Sequence, residues 1–318
     1  MLRAMSSSES LAAGLAEVLG AGSITDLTRL SGGASRDTWR FVADGRALIL
    51  QRQRGGDVRD MGVEAAVVRA AGEAGMPVAE LVASSNQANP LGASFMVLSA
   101  VEGETIARKI LRDDEFAHAR EVLPAQLGTA LAQLHSIALD RVPSLPETDQ
   151  VEQYRTMLDT LGQPHPTFEL AFRWLDVHRP SSTARRIVHG DFRLGNVMVG
   201  PDGLRAVLDW ELAHIGDPME DLGWLCVKAW RFGSALPVAG VGRYEQLFAA
   251  YEAAGGASID PDVVRWWEVL GTLKWGIMCI LQANAHLAGF TRSHELAAIG
   301  RRVCENEHDL FLALEGRW

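Results

Sequence analysis

The run His189-Gly190-Asp191-Phe192-Arg193-Leu194-Gly195-Asn196, followed by Leu208-Asp209-Trp210-Glu211, spaces three oxygen-bearing side chains as phosphoryl transfer requires. Transfer to a hydroxyl needs a carboxylate that orients the hydroxyl and accepts its proton, oxygen ligands for Mg²⁺, and positive or N–H groups along the phosphates. Asp191 and Asn196 stand at the two ends of one short loop, which can aim both at a common point. Asp209 follows an apolar β segment on the next hairpin. Carboxylate and amide oxygens suit Mg²⁺, with phosphate oxygens and water completing its shell. The pattern H-x-D-x-x-x-x-N with a downstream Asp matches the kinase catalytic loop and metal-binding Asp. Taken singly, the pieces are ordinary. An H-G-D triplet is commonly a turn with a hydrogen-bonded His, and Asp209 alone would serve as a helix cap. Only the combination is specific.

An Asp with an ordinary pKa of about 3.9 is ionised at neutral pH but is a weak base. Asp191 is therefore expected to orient the hydroxyl early and to take the proton late. His189 reads as a hydrogen-bonded core residue. Arg193 reads equally as a contact to the transferred phosphate and as a surface arginine.

The elements that must position these residues change character along the chain. Helical spacing over 8–19 opens it, followed by strands over 25–30, 38–43 and 47–52. Trp39, Phe41 and Ala43 would share one strand face and Thr38 and Arg40 the other, although Val42 breaks strict alternation. Asp44-Gly45 is a tight-turn signal. A helix over 60–74 stops at Gly75, with Pro77 just beyond, and strands over 78–83 and 95–98 follow. From Ile106 onward nearly everything is helical, including 125–137, 151–161, 168–178, 219–230, 244–254 and a helix opened by Asp260-Pro261. The one interruption, 187–210, holds the motif loop and two short β segments, 197–199 and 206–208. A sheet-rich lobe over 1–101 and a helical lobe over 102–318 follow from this map. Trp266, Trp267 and Trp275 fall near one helix face and read as core.

Composition narrows the partners. A formal net charge of −10, with no Lys/Arg block, disfavours nucleic acid and anionic membranes. Cys226, Cys279 and Cys304 are odd in number, widely spaced and without a C-x-x-C pair, so neither a zinc site nor a disulfide framework is expected. The N-terminus lacks the basic start and apolar run of a signal peptide. The apolar stretch 269–289 is interrupted by Lys274, Gln282, Asn284 and His286 and reads as a buried helix rather than a membrane span. A cytoplasmic location is expected.

From about Leu30 to Trp230, and most specifically from His189 to Leu225, the chain resembles the aminoglycoside/choline-kinase-like phosphotransferases, distant relatives of the protein kinases. The resemblance implies an α+β, two-lobed protein-kinase-like fold with Mg²⁺-ATP or GTP in the cleft between lobes. It implies Asp191 as catalytic base, with Arg193 beside it, and Asn196 and Asp209 as metal ligands. Trp210-Glu211 stands where protein kinases carry Phe-Gly, and Asp221 would brace the catalytic loop through its backbone N–H groups. In the first lobe, Ser31-Gly32-Gly33-Ala34-Ser35 fits a glycine-rich turn, so Gly32, Gly33 and Ser35 are candidate phosphate contacts. Ser99 and Val101 belong to the connector whose backbone would receive the adenine edge. Glu64 occupies the place of the helix glutamate that pairs with a strand base.

Here the chain departs from the pattern. Leu48-Ile49-Leu50 is followed by Gln51 and then Arg52, where a base is usual directly after the apolar core. Neighbouring strand residues face opposite sides, so only one of the two can meet the phosphates, and Arg52 is the expected one. The departure leaves open a nucleotide-binding, pseudokinase-like module without transfer activity. A metal-dependent hydrolase using His189, Asp191 and Asp209 is a further alternative. The expected acceptor is a small-molecule hydroxyl. The stretch 208–225 also resembles kinase domains fused to acyl-CoA dehydrogenases, whose acceptors are hydroxyacyl compounds. A metabolite therefore ranks above an aminoglycoside.

Overall fold

A computed structural model describes residues 7–30, 36–54, 60–181 and 184–317. Helix α1 (Ser7–Leu19) precedes β1 (Ile24–Arg29), β2 (Arg36–Ala43) and β3 (Arg46–Gln53). Helix α2 (Met61–Glu73), β4 (Leu81–Ser85) and β5 (Phe95–Ser99) follow. The five strands form one antiparallel sheet in the order β1-β2-β3-β5-β4. At the β2–β3 turn both Asp44 (φ 47°) and Gly45 (φ 84°) are left-handed, the conformation a two-residue hairpin of this hand demands. The Asp44 carboxylate also accepts from the N–H groups of Gly22 (3.0 Å) and Ser23 (2.8 Å), fastening β1 to the turn.

Strand alternation divides the sheet into two faces. Phe41, Leu48, Leu50, Phe95 and Val97 pack with α1 in one apolar cluster, with Trp39 at its margin. Each such side chain contributes about 1.5–3 kcal/mol when fully buried. Arg36, Thr38, Arg40, Ile49 and Gln51 lie on the other face, toward a cleft. Helix α2 begins where Asp60 caps it, accepting from Gly62 N–H at 2.8 Å and Val63 N–H at 3.4 Å.

The remaining chain is mainly helical: α3 (Ala107–Arg112), α4 (Ala117–His135), α5 (Gln150–Leu161) and α6 (Pro166–Val177). Next come β6 (Arg186–Val188), β7 (Val197–Gly200), β8 (Gly203–Val207) and β9 (His214–Gly216). Helices α7 (Met219–Cys226), α8 (Tyr244–Ala253), α9 (Pro261–Leu287), α10 (His294–Ile299) and α11 (Val303–Leu314) complete it. β7 and β8 pair as the hairpin expected from the sequence. The antiparallel β6–β9 pair was not anticipated, because three-residue strands carry no readable alternation. The helix expected over 219–230 ends at Cys226, and Lys228–Arg231 continues as a 3₁₀ turn.

One apolar cluster runs through this part, taking in Leu127, Phe168, Leu194, Leu222 and Leu273. Helix α9 crosses it, capped by Asp260 with Pro261 in its first turn. Trp266, Trp267 and Trp275 are buried in the core. Among the described residues, no helix is long and apolar enough to cross a membrane.

Candidate active site

The motif loop from His189 to Asn196 connects β6 to β7 and is held from three directions. From α7, the buried Asp221 carboxylate accepts the N–H groups of His189 (2.8 Å) and Gly190 (2.9 Å). Behind it, His135 Nε2 lies 3.2 Å from Asp221, and His135 Nδ1 lies 2.9 Å from the Tyr251 hydroxyl. Despite complete burial, these bonds hold the Asp221 pKa below the ordinary carboxylate value. From α9, Lys274 Nζ donates to the Gly190 carbonyl at 3.1 Å and lies 3.5 Å from Glu220. Burial opposes the charge on Lys274, but nearby anionic groups, Glu220 and Asp191 among them, outweigh it and raise its pKa. Gly190 is left-handed (φ 77°), and a Cβ there would meet the Leu212 carbonyl oxygen at 2.5 Å, so no other residue fits.

His189 is fully buried, and burial lowers its pKa. Its Nδ1 accepts from Asp191 N–H (3.2 Å), leaving Nε2–H to donate to the Leu208 carbonyl (2.9 Å). Both ring nitrogens are thus engaged by backbone, as a core histidine's would be. The second bond also ties the loop to the end of β8, where Leu208 N–H donates to the Asn196 carbonyl at 2.8 Å. Asn196 and Asp209 are thereby brought to one wall of the cleft.

Three donors surround the Asp191 carboxylate. Trp224 Nε1 (2.8 Å) and Arg193 Nε (3.0 Å) donate to Oδ1, and Asn196 Nδ2 (2.6 Å) donates to Oδ2. Asn196 Nδ2 also reaches the Asp191 backbone carbonyl at 3.0 Å. With its nitrogen so anchored, the amide oxygen is the Asn196 polar atom left for a cation. Asp209 has a left-handed backbone (φ 62°), one of the few conformations of this kind that Asp tolerates. Burial, then the charges of Glu211 and Asp191, push its pKa up to about 6. A carboxylate lining the same cleft as an amide oxygen fits a hard divalent cation.

The cleft has a volume of about 810 Å³ between the sheet and the β7–β8 hairpin. Ser99 and Val101 line it, as do Glu64, Asn196 and Asp209. Ser99 N–H and Ala100 N–H are taken up by the carbonyls of Glu80 (2.9 Å) and Ala47 (3.0 Å), so a backbone N–H donor to an adenine edge would come from Val101 onward. Gly32, Gly33 and Ser35 lie outside the described residues.

Arg52 is not where the sequence led us to expect it. Register pairs Thr38 with Gln51 and Asp37 with Arg52. Because Thr38 faces the cleft, the pleat turns Gln51 toward it and Arg52 away. Arg52 instead lies 3.8 Å from Asp37 and 3.4 Å from the Leu91 carbonyl. The partner of Glu64 is Arg36 on β2, in a two-pronged bond with Nη1–Oε1 at 2.6 Å and Nη2–Oε2 at 2.5 Å. Both side chains are about 8% exposed. Removing one member of such a buried pair typically costs about 3–5 kcal/mol. The sequence signal for Arg36 is the period-two face it shares with Thr38 and Arg40, and that for Trp224 its place one turn after Asp221.

Trp224 was missed as a site residue. Its N–H is one of two donors to a single carboxylate oxygen of Asp191. Trp224→Phe keeps the ring and removes that donor. We expect kcat for acceptor phosphorylation to fall about 10-fold, the worth of one hydrogen bond to a charged group, with the nucleotide KM unchanged. Steady-state kinetics will read this, and an unaltered kcat would show that the bond is incidental.

The model of the phosphotransferase enzyme family matches residues 26–267. The chain belongs to that family. Among curated proteins, this phosphotransferase is 29% identical over 317 residues to acyl-CoA dehydrogenase family member 11 of Gallus gallus, covering 88% of the chain and 40% of that protein. It is 26% identical over 231 residues to acyl-CoA dehydrogenase family member 10 of Mus musculus, covering 67% of the chain and 21% of that protein. The chain thus spans well under half the length of either relative. Among solved structures, a Ralstonia eutropha protein provisionally described as an aminoglycoside phosphotransferase superposes with a TM-score of 0.78 at 20% identity, covering 97% of this chain and 98% of that one. A spectinomycin phosphotransferase in complex with ADP and spectinomycin gives 0.69 at 11% identity, covering 98% and 99%. At these identities the likeness is one of fold: the α+β architecture is the protein-kinase-like one.

Proposed function

We propose that this phosphotransferase moves the γ-phosphoryl group of Mg²⁺-ATP, or of GTP, to a hydroxyl of a small molecule. The nucleotide would lie in the cleft between an N-terminal lobe (1–101) and a helical lobe (102–318), in a cytoplasmic enzyme. The observation that carries this reading is the bond between Asn196 Nδ2 and Asp191 Oδ2, beside a cleft that Asn196 and Asp209 both line. Asp191 would orient the acceptor hydroxyl and receive its proton, held in place by Trp224 and Arg193. Asn196 and Asp209 would hold Mg²⁺, which when bound neutralises charge on the phosphates. With the acceptor oxygen aligned against the phosphorus, positioning and electrostatics supply most of the acceleration.

The acceptor we favour is a hydroxylated metabolite, and an acyl compound in particular. The support is sequence likeness to acyl-CoA dehydrogenase family members at 29% and 26%, above the 20% and 11% shared with the antibiotic-type neighbours. The decisive experiment incubates the enzyme with γ-labelled ATP and a fractionated metabolite pool. Label is expected in a hydroxyacyl species, dependent on Mg²⁺. Label appearing only in added aminoglycosides would reverse the ranking, and label in no acceptor would favour a binding module.

A further inference from the structure

The described residues lining the cleft include two cations, Arg36 and Arg40, both on β2. Arg40 is exposed, whereas Arg36 is buried at 7%. Around Arg36 stand Glu64, Glu211 at 3.5 Å and, farther off, Asp209. Nucleotide phosphates entering this wall would meet three carboxylates, and Arg36 is the buried positive charge set among them. The β3 position that faces the cleft beside it holds neutral Gln51, whose Oε1 accepts from Arg36 Nη1 at 3.1 Å.

The geometry points to Arg36 as the cation that meets the nucleotide's phosphates, transferred from the third strand to the second with its helix glutamate retained. This rests on the nucleotide reading above. Glu64 grips both Nη atoms and fixes the plane of the guanidinium. The two other contacts are replaceable: one goes to a neutral amide oxygen and one is a long contact to Glu211. A charged phosphate oxygen is a stronger acceptor than an amide, so it displaces Gln51 from Nη1. Gln51 is then the counterpart that makes room, since a second cation at that site would repel Arg36.

Isothermal titration calorimetry with the Mg²⁺-bound β,γ-imido analogue of ATP, and with adenosine, tests this. Arg36→Gln should weaken the analogue about 10- to 100-fold, one hydrogen-bonded charge's worth, and leave adenosine unchanged. Arg36→Gln/Gln51→Arg, which returns the cation to β3, should recover wild-type affinity within several-fold. Arg36→Gln/Glu64→Gln removes the buried charges together, and so carries the test if the single variant does not fold. It should remain as weak as Arg36→Gln. Wild-type affinity in that double variant would reduce Arg36 to a structural partner of Glu64, and equal affinity in Arg36→Gln would likewise overturn the assignment while sparing the nucleotide site. A wild-type protein that binds neither probe would bring down the nucleotide reading and this assignment together.

Discussion

Asp191→Asn is expected to lower acceptor phosphorylation by about 10²- to 10⁴-fold, the usual worth of a positioned proton acceptor, while Mg²⁺-nucleotide affinity stays within a few-fold. Affinity should survive because Asn196 keeps its bond to the Asp191 backbone carbonyl, which the substitution does not touch. The new amide can turn its oxygen toward Trp224 and Arg193, but it then presents N–H to the Asn196 amide nitrogen, which formerly donated there. Asp191→Ala removes that conflict along with the base. A similar loss in both variants, read by single-turnover transfer of labelled phosphate, would tie the effect to proton acceptance. Unchanged turnover in Asp191→Asn would rule the mechanism out.

The second large effect is expected at Asp209. Asp209→Ala should weaken Mg²⁺-dependent nucleotide binding on the order of 10- to 100-fold or more, as losses around metal centres commonly do. Alanine at φ 62° also strains the backbone by about 1–2 kcal/mol. Asp209→Asn tolerates that conformation and isolates the charge. Nucleotide titrations with and without Mg²⁺ will separate the two; equal affinities in wild type and Asp209→Asn would remove Asp209 from the metal. The metal-free folded protein keeps a proton on Asp209 up to about pH 6, whereas the unfolded chain releases it near 3.8. The group therefore costs stability increasingly as pH rises across that interval, and the cost is full above it. Without Mg²⁺, Asp209→Asn should accordingly melt higher than wild type at pH 7, with the difference fading toward pH 4.

What could be read directly from the chain was whatever local rules decide. Asp44-Gly45 announced its hairpin because both residues must be left-handed, and Asp260 announced a helix because a carboxylate can cap free N–H groups. The His189–Asn196 loop and its adjoining hairpin were legible because one short segment carries them. Asp221 was legible as a brace only through family likeness; its bonds to His189 and Gly190 span 32 and 31 residues. The Arg36–Glu64 pair joins residues 28 apart across an element boundary. Alternation could say that Arg36 shared a face with Thr38, but not that α2 would bring a carboxylate to it. Lys274 registered only as a break in an apolar stretch. Its partner, the Gly190 carbonyl, lies 84 residues away, and only the packed α9 brings the two together.

The chain of bonds from Tyr251 through His135 and Asp221 to the His189–Asn196 loop has a thermodynamic consequence. Fixing a residue's backbone costs about 1–2 kcal/mol of entropy, and in many loops that charge falls due when ligand binds. Here the amides of His189 and Gly190 are already immobilised by an anion that the fold itself has buried. Ordering of this segment is thus settled during folding, and an arriving nucleotide keeps that share of its contact energy as affinity.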